Sequence, residues 1–194
     1  MTETSTLPRS KNKTFTTKEL VLTALMSVFI AIGSWISIPT EIPFTMQTFA
    51  VFSALFLLGG KKGFFSVLVF ILLGAVGIPV FQGFTGGIGI LFGMTGGYII
   101  GFLGIAAIYW LAELIPLKNK AAVFVRNIIA MVIGLAVCYA FGTAWFMHVY
   151  AKQVESISLT GALKMCVTPF VIADLIKLAA AALYTYPIKK YAKI

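Results

Sequence analysis

Acidic side chains are scarce in this chain: 194 residues hold six Asp and Glu, and Asp174 is the sole aspartate. Charged residues of both signs make up only 11% of the sequence, while 60% is hydrophobic. Soluble domains carry roughly 25% charged and about 45–50% apolar residues, so an ordinary soluble fold is excluded. The acids are too few for the paired carboxylates of general acid–base catalysis or for a proton or ion wire. Histidine occurs once, as His148 near the outer end of an apolar run; alone there, it reads as a wetted boundary residue. Cys138 and Cys166 both sit in apolar context and make no disulfide framework. A Walker A sequence is missing too, because Gly59-Gly60-Lys61-Lys62-Gly63 lacks the spacing that cradles phosphates. The chain alone is therefore not expected to hydrolyse ATP, nor to be an enzyme, nor to hold a metal or cofactor.

What is present points to a membrane. Seventeen Phe and 18 Gly suit a lipid-facing helical bundle in which glycine lets backbones approach closely. A helix needs about 20 apolar residues to cross, and the pattern predicts six: 20–38, 42–60, 63–78, 95–115, 127–151 and 161–186. The break Pro39-Thr40-Glu41-Ile42-Pro43 separates the first two, and Lys61 and Lys62 form the next loop. Residues 63–112 hold no charge at all and are divided by Pro79, Gly83, Gly86, Gly87 and Gly89. The net charge of +9 is no nucleic-acid signature, since the basic residues cluster between apolar runs. Arg9, Lys11, Lys13, Lys18, Lys61, Lys62, Lys118, Lys120, Arg126, Lys189, Lys190 and Lys193 fall on one side; only Lys152 and Lys164 fall on the other. The positive-inside rule then puts both termini in the cytoplasm. The reading is an all-α integral bundle of six transmembrane helices in the cell membrane. Residues 1–19 form a cytoplasmic arm and 20–194 the membrane domain. The first apolar run is too long for a signal peptide and lacks a cleavage site, so it is kept as a helix. The Asn12 sequon then faces the cytoplasm, and no internal repeat stands out.

One intramembrane site remains. Asp174 and Lys177 lie three residues apart, hence on one helix face. Either charge costs about 2.5–3.5 kcal/mol at mid-membrane, and such residues tend to line cavities; a self-neutralising pair is the plainer alternative. Pro169 is expected to kink their helix. The uncharged, glycine-rich stretch 77–98 is too apolar for a solvated loop, and suits a lid over an outward-facing pocket. Glycines at 89, 93, 97 and 101 also permit close helix packing. Thr45 and Gln47 offer neutral hydrogen-bonding groups at similar depth. On helix 1, Ala24, Ser27, Ala31 and Ser34 make a small-residue stripe, fit for packing within the bundle or against a partner.

Five motifs in order carry a resemblance: Pro43-Phe44-Thr45-Met46-Gln47-Thr48, residues 57–63, residues 74–81, Gly93-Met94-Thr95-Gly96-Gly97-Tyr98, and Pro169-Phe170 followed by Asp174 to Lys177. From about residue 18 the chain resembles the biotin-specific S components, the BioY family, of energy-coupling factor vitamin transporters. It departs from them at Gly93-Met94-Thr95, where the family often has Gly-Pro-Thr. The resemblance implies a six-helix protein that captures biotin from outside. A transmembrane coupling protein and two ATPase subunits would work with it, and ATP would be used only by those partners. It implies a pocket from the loops after helices 1 and 3 together with helix 6, and docking of the coupling protein on Ala24, Ser27 and Ala31. Biotin needs few charges around it: an acceptor for its ureido protons, aromatic walls, and a group for its carboxylate. Asp174 would accept the N–H bonds; Lys177 would bond the ureido carbonyl or balance Asp174. Phe81, Phe84, Phe92 and Tyr98 would supply walls, with Gly87, Thr45 and Gln47 also at the ligand. Backbone N–H groups or water would meet the carboxylate. Alternatives are an S component for thiamin or riboflavin, a membrane-embedded enzyme, and a purely structural subunit.

Overall fold

The computed structural model describes residues 15–38 and 43–192. Arg9, Lys11, Asn12, Lys13, most of the Pro39-to-Pro43 break and Lys193 lie outside the described residues. Eight α-helices appear among them: α1 (Thr17–Trp35), α2 (Gln47–Leu58), α3 (Gly60–Ala75), α4 (Ile88–Leu91), α5 (Gly96–Glu113), α6 (Lys120–Gln153), α7 (Leu159–Cys166) and α8 (Thr168–Ala192). Helices α1, α5, α6 and residues Thr168–Lys189 of α8 are long and apolar enough to cross a membrane; α2 is a shorter apolar helix.

Helix α1 starts earlier than the hydropathy pattern predicts because Thr16 and Glu19 form a capping box. The Glu19 N–H donates to Thr16 Oγ1 at 3.3 Å, and the Thr16 N–H to Glu19 Oε2 at 2.9 Å. It also stops earlier, at Trp35. The segment read as helix up to residue 38, and again from 42, is an antiparallel hairpin of β1 (Ser37–Ile38) and β2 (Phe44–Thr45), pairing Ser37 with Thr45 and Ile38 with Phe44. Helix α2 is apolar on all sides, and every residue from Ala50 to Leu58 is buried. Such a helix belongs at a bundle centre; it packs on α1, α3, α5 and α8.

The expected loop at Lys61 and Lys62 is instead a corner. Gly59 turns it with φ +80, and α3 begins at once with Gly60. A Cβ on Gly60 would stand 2.4 Å from Trp110 Cα. Its N–H donates to Glu113 Oε2 at 2.6 Å, so the last residue of α5 caps the start of α3. At the same end, Lys62 pairs with Glu19 at 3.0 Å.

Helix α5 matches its predicted span within two residues, and it forms a close seam with α6. There Gly97 meets Trp145, Gly101 meets Cys138, and Gly142 of α6 meets the Tyr98 ring. Helix α6 begins well before its predicted start, at Lys120, and its 34 residues span roughly 51 Å. The predicted sixth helix is two, broken at Val167, with Ser158 capping α7 through its bond from the Gly161 N–H. Pro169 therefore lies in the first turn of α8, where a missing N–H is harmless, and does not kink the helix interior.

Candidate functional site

At the end of the bundle that holds the hairpin, α4 and α7, a cavity of about 250 Å³ opens between α2, α5, α6 and α8. Pro43 and Thr45 of the hairpin, Gln47 and Thr48 of α2, and Phe81, Gln82 and Thr85 of the glycine-rich segment form one side. Tyr98, Ile99 and Phe102 of α5, Leu135, Cys138 and Tyr139 of α6, and Cys166, Phe170, Asp174 and Lys177 complete it, with Ile90 and Thr95.

Asp174 and Lys177 are 3% and 7% exposed, so their charges must be met inside the protein. Lys177 Nζ donates to Asp174 Oδ1 at 2.8 Å, to the Thr45 carbonyl at 2.7 Å and to Thr48 Oγ1 at 3.1 Å. Those three bonds use all of an ammonium's donors. The Phe44 ring lies beneath the same ammonium, 4.0 Å from Nζ to the centroid. Asp174 Oδ1 also accepts from Thr48 Oγ1 at 2.8 Å, and Oδ2 accepts from the Tyr139 hydroxyl at 2.6 Å. Thr48 stands in the first turn of α2, so the carboxylate meets the positive end of that helix. The result is a fixed, neutralised polar corner in an otherwise apolar and neutral cavity.

The glycine-rich segment is held from both flanks. Ser34 Oγ donates to the Val80 carbonyl at 2.6 Å, Trp35 Nε1 to Pro79 at 3.1 Å, and Trp145 Nε1 to Gly93 at 3.0 Å. Phe81 turns inward, 1% exposed, with its ring against Gly74 and edge-on to Phe70.

Of the residues singled out in the sequence, Thr45, Gln47, Phe81, Tyr98, Asp174 and Lys177 line the cavity together. Three others stand apart from its wall. Phe84 is exposed and stacks on Trp35, Phe92 is exposed near Trp145, and the Gly87 N–H donates to the Gly74 carbonyl at 2.7 Å. Ala24 is exposed on α1, whereas Ser27 and Ala31 are buried within the chain, Ser27 Oγ lying 2.8 Å from the Ser66 carbonyl. Tyr139 was not singled out, although a tyrosine deep in an apolar run needs a partner for its hydroxyl. That requirement is the one sequence signal that could have found it.

The BioY family model matches residues 8–193. A biotin transporter BioY of Thermotoga maritima is 39% identical over 175 residues, covering 89% of this chain and 96% of its own length. A probable biotin transporter BioY of Pyrococcus horikoshii is 35% identical over 167 residues, covering 86% and 93%. Among solved structures, the S-component for biotin from an ECF-type ABC transporter superposes with a TM-score of 0.75 at 26% identity, over 91% of this chain and 95% of that one. With the family model matching nearly all of this chain, and relatives of this identity spanned nearly end to end, the chain belongs to the BioY family.

Proposed function

We propose that this chain is a biotin-capturing S component of an energy-coupling factor transporter, a transport protein and not an enzyme. The observation that carries the reading is the neutralised Asp174–Lys177 corner inside a cavity of neutral and apolar groups. Relatives named as biotin transporters supply the ligand. Biotin has a planar ureido group, an apolar thioether ring and an aliphatic chain ending in a carboxylate. Asp174 Oδ2 accepts one bond, from Tyr139, and has a lone pair left for a ureido N–H. Lys177 keeps the carboxylate in place, since its own donors are taken. Phe81, Tyr98, Phe102 and Phe170 wall the apolar rings, and Gln82, Thr85 and Thr95 provide neutral polar groups for the far end.

The protein crosses the membrane six times, through α1, α2, α3, α5, α6 and α8, with both termini cytoplasmic. Helices α2 and α3 are short for a full crossing; the hairpin and the glycine-rich segment continue them inside protein, where irregular backbone is tolerated. Lys61, Lys62 and Lys189 stand at the end away from the cavity, which supports that orientation. The membrane domain, 20–194, carries the pocket, and residues 1–19 precede it. A coupling protein docks on the exposed Ala24 face of α1, and two ATPase subunits hydrolyse ATP, for which this chain has no Walker A sequence.

Calorimetry on detergent-purified protein with biotin, thiamin and riboflavin tests the ligand. Tight binding of biotin alone is the expected result. Preference for thiamin or riboflavin would overturn it.

A further inference from the structure

We infer that Gln47 donates its side-chain N–H to the ureido oxygen of the ligand and thereby sets the site's preference for a cyclic urea; the inference rests on the biotin reading above. Gln47 is 6% exposed and lines the cavity. Its Nε2 is buried with no hydrogen-bond partner, the one side-chain nitrogen or oxygen in that state among the described residues. Buried donors are almost always paired, and one left open beside a cavity asks for an acceptor that arrives with a ligand.

The neighbouring groups show which acceptor. Lys177, the obvious candidate for the ureido carbonyl, already spends its three N–H groups on Asp174, Thr48 and the Thr45 carbonyl. Thr48 spends its hydroxyl proton on Asp174, and so does Tyr139. In the wall of this one cavity, Asp174 Oδ2 is left with an open acceptor site and Gln47 Nε2 is an open donor. Gln47 and Thr48 are consecutive in the first turn of α2, and Thr48 touches Asp174. A ureido group presents an N–H and a carbonyl oxygen on adjacent atoms, the complement of that pair. With Nε2 facing the ligand, the amide favours a carbonyl oxygen there over a second donor.

Iminobiotin is such a ligand, with a protonated imine in place of the ureido oxygen and the rest unchanged. Titration calorimetry on full-length, detergent-solubilised protein would compare biotin with iminobiotin in the unmodified chain, Gln47→Met and Gln47→Glu. The unmodified chain should prefer biotin by at least about tenfold. Gln47→Met, similar in size but without the donor, should lose about tenfold for biotin and nothing for iminobiotin. Gln47→Glu replaces the donor with an acceptor and should move the ratio further toward iminobiotin. Should Gln47→Met fail to give monodisperse protein, Gln47→Glu keeps the length and volume and carries the same comparison. An unchanged ratio in either folded variant would overturn the role of Gln47 while leaving biotin binding intact. Failure of the unmodified chain to bind biotin would overturn the reading beneath it as well.

Discussion

Tyr139 of α6 donates its hydroxyl to Asp174 Oδ2 of α8 at 2.6 Å, a bond between two helices across the wall of the cavity. It leaves that oxygen oriented and only half used. Hydrogen bonds to charged groups contribute roughly 1.5–3 kcal/mol. Tyr139→Phe keeps the ring and removes the donor, so biotin affinity should fall about tenfold or more in calorimetry. Unchanged affinity would mean that Tyr139 merely packs.

The stripe on α1 divides by burial. Ser27 lies inside the α1–α3 contact, 1% exposed, and Ala24 lies outside it. Ser27→Leu overfills that contact, at about 1–3 kcal/mol, and should lower thermal stability and biotin binding together. Ala24→Leu should leave purified-protein affinity intact and reduce uptake in cells that carry the partner subunits. Normal uptake in Ala24→Leu would remove the docking role from this face.

Much of the architecture can be read in the sequence, and the misreadings have physical causes. The α5 span shows because its apolar run is long and ends at Glu113, which also caps α3. The corner at Gly59 does not show: two glycines followed by two lysines resemble a solvated loop, and only the approach of Trp110 and Glu113 makes the turn immediate. Hydropathy finds the membrane-embedded part of α6 and misses its first turns, because Lys120 and Arg126 bracket the short apolar stretch Ala121 to Val125 and make it resemble a loop. In the cavity, Asp174 and Lys177 stand out as charges in an apolar run. Phe81, Phe84 and Phe92 are indistinguishable by composition; the backbone path turns Phe81 onto Gly74 and leaves the other two at the surface.

That contact gives a test of the cavity wall. A Cβ on Gly74 would stand 2.1 Å from Phe81 Cζ, whereas one on Gly89 would meet nothing within 4 Å. Gly74→Ala should displace Phe81, lowering the melting temperature and weakening biotin binding, at about 1–3 kcal/mol of strain. Gly89→Ala should change neither. Equal behaviour of the two variants would show that Phe81 does not shape the pocket.

Glu113 acts at the other end of the bundle. Glu113→Ala removes the acceptor of the Gly60 N–H, a capping loss of about 1 kcal/mol. Thermal stability should drop while biotin affinity holds, as measured by a melting curve and calorimetry on the same preparation. A large affinity loss would mean that the corner and the cavity are coupled.

The central claim is that Asp174 anchors the ligand. Calorimetry of biotin binding to Asp174→Ala, on protein shown to be inserted and monodisperse, tests it most directly. Removing the carboxylate strips the ligand's acceptor and leaves Lys177 without its counter-charge. Breaking a buried charged set of this kind costs about 2–5 kcal/mol. Affinity should therefore fall at least ~30-fold, and less in Asp174→Asn, whose amide oxygen still accepts one bond. Near-normal affinity in Asp174→Ala would place biotin away from α8 and contradict the account.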